Sequence, residues 1–481
     1  MKFDIKEEHL IIKPYKSHES IYVREQNGRY QEIRRVLSWL LIIAFIAIPF
    51  LQYHGQQAVL LNVVNQQFRF FAITFWPQDF ILLASLLMVA AFALFFVTSW
   101  LGRVWCGYVC PQTVWTLAYI WVEHRIEGTR NQRIALDKQA NSFNKLQKKL
   151  TKHFLWLLMS AVSATTFISY FIPTTVLYSD IVAFNCSGIV SFWLCFFTVC
   201  TYGNAGWLRE KVCIDMCPYA RFQAAMFDKN TLLVAYDKTR GEGRGARKIK
   251  DDAKQLGLGD CVDCNLCVEV CPTGIDIRNG MQYECINCGL CVDACDDTMA
   301  RFNYQKGLIS YTSEQQLLGG KPQQANVKVI AYGIFTVAIS IATSYWISSR
   351  VPLETSILRD RNALYRTNYL GLVENTYTLK ILNKTQQALH YQISVTGLEG
   401  ASLTLPKDLK IAAGVMREIP ATLSVNDYNL TQRVTDINFT IQAIEQPDIT
   451  LQKMTKFYSD ITMDSDNKYV NMKTDIRKYK E

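Results

Sequence analysis

Eight cysteines crowd into the 35 residues from Cys261 to Cys295, in two runs of one spacing. The first run holds Cys261, Cys264, Cys267 and Cys271, followed by Pro272. The second holds Cys285, Cys288, Cys291 and Cys295, followed by Asp296. Cys-x2-Cys-x2-Cys-x3-Cys wraps a backbone around a cubane iron–sulfur cluster, and in doubled runs the fourth cysteine of each ligates the other's cluster. The spacing therefore predicts two 4Fe-4S clusters, one on Cys261, Cys264, Cys267 and Cys295, the other on Cys285, Cys288, Cys291 and Cys271. Zinc sites and disulfides do not call for two copies of this fourfold spacing. A soluble ferredoxin usually has proline where Asp296 stands. Asp296 and Asp297 place negative charge beside a cluster, which favours its oxidised state.

A second constellation lies earlier, as a repeat. Trp100-Leu101 precedes Cys106 and Cys110-Pro111, and Trp207-Leu208 precedes Cys213 and Cys217-Pro218. Every matching position is 107 residues apart, Ala118 and Ala225 included. On a helix, residues i and i+4 share a face, so each pair can grip one metal ion. Proline suits the first turn of a helix. Helices starting at Pro111 and Pro218 would put Cys110 and Cys217 at positive helix ends, which favours thiolates. Thiolates with a thioether select soft ions such as Cu(I), and Met216 is the candidate thioether. The four cysteines Cys106, Cys110, Cys213 and Cys217 are thus candidate ligands for a soft metal ion such as Cu(I). Cys186, Cys195 and Cys200 have no matching pattern and read as small buried residues. His54, His124 and His153 are isolated, which gives no support to a membrane haem.

These residues need a scaffold. Of 481 residues, 49% are hydrophobic, and the mean hydropathy is +0.03, between soluble and membrane-embedded chains. Residues 1–35 form a polar N-terminal segment. Five apolar stretches follow, at 36–52, 80–101, 154–176, 186–208 and 327–347, and most approach the roughly 20 residues needed to cross a bilayer. The first four belong to a membrane domain, 36–237. Two shorter aromatic stretches, 68–76 and 112–122, read as interfacial. The loop 102–153 carries nine basic residues against three acids, whereas 53–79 carries only Arg69. The positive-inside rule then puts the N-terminus, the 102–153 loop and residues 209–326 in the cytoplasm. No long basic tract points to nucleic acid, although the net charge is +9. A basic, glycine-rich stretch, 238–259 (Arg240, Arg244, Arg247, Lys248, Lys250), reads as a hinge before a double-cluster α+β domain, 260–326. The fifth helix, 327–347, sends residues 350–481 to the other side. There the period-two alternation at 377–382, 389–395 and 437–443 predicts a β-sandwich.

In this motif order the chain resembles the FixG/CcoG family of cytochrome c oxidase accessory proteins. Cys271-Pro-Thr-Gly-Ile-Asp-Ile-Arg-Asn-Gly280, Gln282-Tyr-Glu-Cys285-Ile and the Cys295-Asp296 ending carry the likeness. The resemblance implies a bacterial inner-membrane protein with an immunoglobulin-like C-terminal domain. It implies a role in assembling cbb-type cytochrome c oxidase by reducing Cu(II) to Cu(I). A cytosolic electron donor, copper ions or a copper chaperone, and oxidase assembly factors would be its partners. Membrane ferredoxins of the NapH type resemble the first 300 residues, and they offer quinol dehydrogenation as an alternative. The C-terminal β domain weighs against them. A non-enzymatic assembly scaffold is the third reading.

Overall fold

A computed structural model describes residues 21–459 apart from 54, 72, 250, 252–255 and 322–325, together with 462–463 and 469–470. The first twenty residues of the N-terminal segment, His54 and Lys250 lie outside the described residues, as does most of the chain after 459. The chain forms two compact units, 1–50 with 85–170 and 174–340, and 51–84 with 171–173 and 341–481.

Among the described residues, four helices are long and apolar enough to cross a membrane: Arg29–Phe50, Phe80–Leu101, Gly188–Leu208 and Val327–Ser348. The expected stretch at 154–176 is not among them. Its helix, Phe143–Ile168, begins with Lys145, Lys148, Lys149 and Lys152 and stops before Pro173. Its apolar part is therefore shorter than a usual span.

The first unit is centred on the Pro111–Glu127 helix. Its aromatic residues suggest an interfacial position, yet the structure buries it: Tyr119 is fully enclosed and Val114, Ala118 and Val122 lie in the core. Tyr119 donates to the Trp156 carbonyl at 3.0 Å, and Trp156 Nε1 donates back to the Tyr119 carbonyl at 3.2 Å. The helix ends in Glu123 and Glu127, which meet Arg133, Lys152 and Arg209 from three other segments. That burial needs partners, because an unpaired charge inside a protein costs several kcal/mol. None of Cys186, Cys195 and Cys200 is buried, and Cys195 is exposed, so the core reading of these three gives way to an outward-facing one. The Gly188–Thr201 helix has no buried residue.

The cysteine-rich domain begins earlier than residue 260. Strand Leu233–Tyr236 pairs antiparallel with Ile309–Thr312 and flanks the cysteine loops. Nor is the 238–259 stretch a free hinge. Arg240 bonds Asp260 and the carbonyls of Gln305 and Lys306, and Arg247 donates to the Gly259 carbonyl at 2.8 Å. The side chains of Arg240 and Arg247 are thus engaged within the domain.

The second unit contains two antiparallel sheets. One has the order Ser402–Thr404, Met416–Val425, Val373–Asn383, Leu353–Arg359; the other has Lys410–Ile411, Leu389–Thr396, Val434–Ala443, Thr450–Tyr458. Alternate residues of the Val373–Asn383 strand (Tyr377, Leu379, Ile381) are fully buried, as are Phe439 and Ile441 of the other sheet. The rings of Tyr377 and Phe439 meet edge to face at 5.4 Å. Period-two burial on both inner faces makes this a β-sandwich. The 68–76 stretch, expected at an interface, folds as strand. It supplies strands Gln67–Phe70 and Ile73–Phe75 of a three-stranded meander with Val59–Asn62.

Candidate redox site

The two cysteine runs are related by 24 residues, and their backbones match. Asp263 and Asn287 have φ of 51° and 56°, and Asn265 and Gly289 have 58° and 74°. These left-handed positions turn the chain tightly around each loop, which is where Asn, Asp and Gly are tolerated. Two enclosed spaces result. One is lined by Cys261, Cys264, Cys267 and Cys295. The other is lined by Cys271, Cys285, Cys288 and Cys291, with Cys267 also at its edge. Each gathers three cysteines of one run and the last cysteine of the other. Much of the remaining wall is apolar, with Ile309 and Met299 around the first and Ile275, Ile286 and Leu290 around the second. Four sulfurs in an apolar, enclosed setting fit an iron–sulfur cubane. Burial pushes the thiols of Cys267, Cys285 and Cys295 up to about 12 and that of Cys271 up to about 11. Such thiols stay protonated unless a metal replaces the proton.

Asp296 has a structural role. The Leu290–Arg301 helix runs straight through it, where a proline would break the helix. Its carboxylate accepts from the Gly307 N–H at 2.9 Å, and Asp297 pairs with Arg301 at 2.7 Å. Much of the charge assigned to this pair is therefore already partnered. A cation that the spacing does not reveal sits at the first space instead. Arg278 lines it and is held by Asp276 and Asp263 at 2.8 and 2.5 Å.

The two Cys-x-x-x-Cys-Pro segments come together against the second space. Helices do begin at Pro111 and Pro218, with Cys110 and Cys217 as the preceding cap residues. Cys106 lies in a short helix, Val104–Tyr108, and Cys213 in a wider π-turn, Val212–Met216, so the two copies are not the same helix. The repeat nonetheless extends to the backbone: Gly102 and Arg209, 107 residues apart, both have positive φ. Gln223, on the helix after the second motif, accepts from the Cys106 thiol at 3.1 Å. Gln112, after the first motif, donates to the carbonyls of Asn204 and Arg209 before the second. The thiols lie within electrostatic reach: Cys106 feels Cys110 and Cys217, and Cys213 feels Cys110 and Cys106. Burial, with these neighbours, pushes Cys213 up to about 12. Burial likewise raises Cys106, against the expectation of easily formed thiolates. Met216 is 64% exposed, outside this half-buried group. Among the described residues, no three of His, Cys, Asp or Glu converge closely enough to hold one metal ion.

Contact with the second cysteine loop is direct. Cys106 packs on the apolar cluster of Ile286, Cys288 and Leu290. The Tyr108 hydroxyl donates to the Cys288 carbonyl, and Arg103 donates to the Tyr283 carbonyl at 2.5 Å. Asn287, between two cysteines, accepts from the Val234 N–H and donates to the carbonyls of Leu101 and Leu232. It ties the loop to the end of a membrane helix. Spacing alone did not single out Asn287, Tyr108, Gln223 or Arg278.

Comparison with known proteins agrees with this architecture. A 4Fe-4S dicluster domain matches residues 208–314, and an IG-like fold found at the C-terminus of FixG matches 343–460. Protein RdxB of Cereibacter sphaeroides is 37% identical over 405 residues, covering 81% of this chain and 85% of that protein. Nitrogen fixation protein FixG of Rhizobium meliloti is 34% identical over 431 residues, covering 81% of each. A crystal structure of a FixG-related protein from Vibrio parahaemolyticus is 32% identical and covers 23% of this chain and 97% of its own, with a TM-score of 0.21.

Proposed function

The chain belongs to the FixG family, and from that premise we propose that it reduces Cu(II) to Cu(I) for the assembly of cbb-type cytochrome c oxidase. It is a membrane protein with a 4Fe-4S dicluster domain. Cys261, Cys264, Cys267 and Cys295 hold one cluster, and Cys271, Cys285, Cys288 and Cys291 the other. When bound, this pair supplies single-electron transfer. Copper is the substrate. Cys106, Cys110, Cys213 and Cys217 receive it, with Met216 as an exposed thioether for an arriving ion. Sulfur ligands favour Cu(I) over Cu(II), so the site pulls the reaction toward the reduced ion, and the thiol protons leave as the metal enters.

The observation that carries this reading is the seat of Cys106. Its side chain packs on the wall of the second cysteine loop while its thiol is bonded by Gln223 from the other motif. Cys106, one of the four proposed copper thiols, thereby shares an apolar layer with Cys288 and Cys291 of the cluster loop.

Parity supports the sidedness. Gln112 bonds the Arg209 carbonyl, so residues 101 and 209 lie on one side of the membrane. The Gly188–Leu208 span crosses once between them, so a second crossing is needed. The Phe143–Ile168 helix has 26 residues, about 39 Å at 1.5 Å per residue. That is long enough, with Lys145 and Lys148 toward the interface and Lys152 paired to Glu123 and Glu127. With five crossings, the basic 102–153 loop favours a cytoplasmic cluster domain and a periplasmic β-sandwich.

The test is anaerobic Cu(II) reduction by dithionite-reduced, iron-loaded protein. A Cys213→Ala/Cys217→Ala variant is expected to lose the activity while keeping its iron. Wild-type rates in that variant would remove the copper site from these residues.

A further inference from the structure

A cavity of about 180 Å³ opens beside the redox site. One water needs roughly 10–15 Å³, so this space takes a ring-sized ligand. Two of its residues, Trp39 and Trp121, are 47% and 45% exposed, and their rings meet edge to face at 6.1 Å. With Ile42 they form an apolar rim, on the membrane helix Arg29–Phe50 and on the Pro111–Glu127 helix.

The inner end is polar. Glu210 is more than nine-tenths buried, and its Oε1 has no hydrogen-bond partner among the described residues. A buried carboxylate left open in a cavity is expensive, which points to a ligand that bonds it. His124 also lines the cavity. Its Nε2 donates to the Val23 carbonyl at 3.1 Å, leaving Nδ1 as an acceptor, with Glu25 at 4.0 Å toward solvent.

The back wall is shared. Pro272, Thr273, Ile286 and Leu290 line this cavity and also the space enclosed by Cys271, Cys285, Cys288 and Cys291. One layer of side chains separates the two.

We propose that this cavity binds the headgroup of a membrane quinol, which is the electron donor of the protein. The proposal rests on the iron–sulfur part of the function above and not on copper. An aromatic rim, a buried carboxylate, an imidazole elsewhere in the lining with its Nδ1 toward Glu25 and solvent, and a one-residue wall to the clusters suit a lipid-soluble donor of two electrons and two protons. Oxidation breaks the two O–H bonds of the quinol. One proton passes to the Glu210 carboxylate and the other to His124 Nδ1. The two electrons leave singly to two one-electron iron–sulfur acceptors, and the quinone departs. Burial holds the Glu210 carboxyl up to about 7, so it can both take and release a proton near neutrality.

The test uses purified full-length protein and 2-heptyl-4-hydroxyquinoline N-oxide, a quinol analogue whose fluorescence is quenched on binding. The expected result is saturable quenching, reversed by decylubiquinone, and at least tenfold weaker in Ala118→Leu, which fills the cavity. Iron content and circular dichroism establish that the variant is folded. In Glu210→Gln, binding is expected to change by less than threefold, while bleaching of the 410 nm absorbance by decylubiquinol slows at least tenfold. Absence of saturable binding in the wild type, or undiminished binding in folded Ala118→Leu, overturns the proposal. So does Cu(I) binding, in place of probe binding, that depends on Glu210, because the cavity would then belong to the copper site. Dithionite-driven Cu(II) reduction by the wild type reports on the copper reading separately.

Discussion

The Tyr108 hydroxyl, inside the first Cys-x-x-x-Cys motif, donates to the main-chain carbonyl of Cys288 at 3.1 Å. Tyr311 completes the arrangement, 3.0 Å from the Tyr108 oxygen and donating to the Asn287 carbonyl at 2.7 Å. Two phenols thus hold consecutive carbonyls of one cluster loop. A hydrogen bond of this kind contributes about 1 kcal/mol net. Tyr108→Phe should therefore release iron from that loop roughly fivefold faster under chelation with bathophenanthroline. The same substitution should leave the rate of the other cluster unchanged. Equal rates for wild type and variant would mean that the bond does not steady the loop.

Asn287 attaches the cysteine loop to the end of the membrane helix at Leu101. It has φ of 56°, so Asn287→Gly keeps the backbone free to adopt its turn and removes only the side-chain bonds. Those bonds serve the Val234 N–H and the carbonyls of Leu101 and Leu232. Unsatisfied buried groups cost about 1–3 kcal/mol each. Limited proteolysis should find the cluster domain released from the membrane part in Asn287→Gly, with a lower melting temperature. A resistant, equally stable variant would assign the attachment to other contacts.

The doubled cysteine spacing and the period-two strands could be read directly, because each is a short-range pattern that chemistry or a sheet face imposes. Tyr377, Leu379 and Ile381 had to alternate to be buried, and they are. Glu210 could not be found this way. Its burial arises from the packing of segments far apart in the chain, and nothing in Arg209-Glu210-Lys211 marks it. The Pro111–Glu127 helix misleads for the same reason: Trp115, Tyr119 and Trp121 suit a membrane surface, but the surrounding helices cover Tyr119. Asp296 reads as a charge beside a cluster until the helix through it is seen to exclude proline.

Glu123 meets Arg133 at 2.5 Å, Arg209 at 3.0 Å and Lys152 at 3.5 Å inside the first unit. Burial raises its carboxyl pKa, but Arg209, Arg133 and Lys152 together outweigh that and hold it below the ordinary value of 4.5. Its contribution is therefore present above pH 4.5 and is lost as pH falls through the lower folded-state value. Glu123→Gln leaves three cations facing a neutral amide and should cost about 3–5 kcal/mol. Thermal unfolding at neutral pH should show a large drop for Glu123→Gln, and the gap to wild type should narrow as the pH is taken below 4. A constant gap across that range would place the stability elsewhere.

Gly107 is a position where the first motif comes close to the backbone of the cluster loop. A Cβ there would stand 2.7 Å from the Ile286 carbonyl oxygen and 3.1 Å from the Cys288 Cα. Both are backbone atoms and cannot swing aside. The φ of Gly107 is not positive, so alanine would be acceptable conformationally and the effect is steric alone. The Arg34 guanidinium, donating to the Gly107 carbonyl at 3.0 Å, fixes the segment from its other side. The equivalent residue of the second motif is Ile214, which shows that the repeat itself does not ask for glycine. Gly107→Ala must push the cysteine loop and the motif apart, at about 1–3 kcal/mol for overpacking. Iron and sulfide analysis should show the content falling toward that of a single cluster, with the spectrum of the cluster at Cys261, Cys264, Cys267 and Cys295 retained. Dithionite-driven copper reduction should fall with it. Full iron content and a wild-type rate in Gly107→Ala would mean that the close approach at Cys288 is not the route between the two sets of thiols.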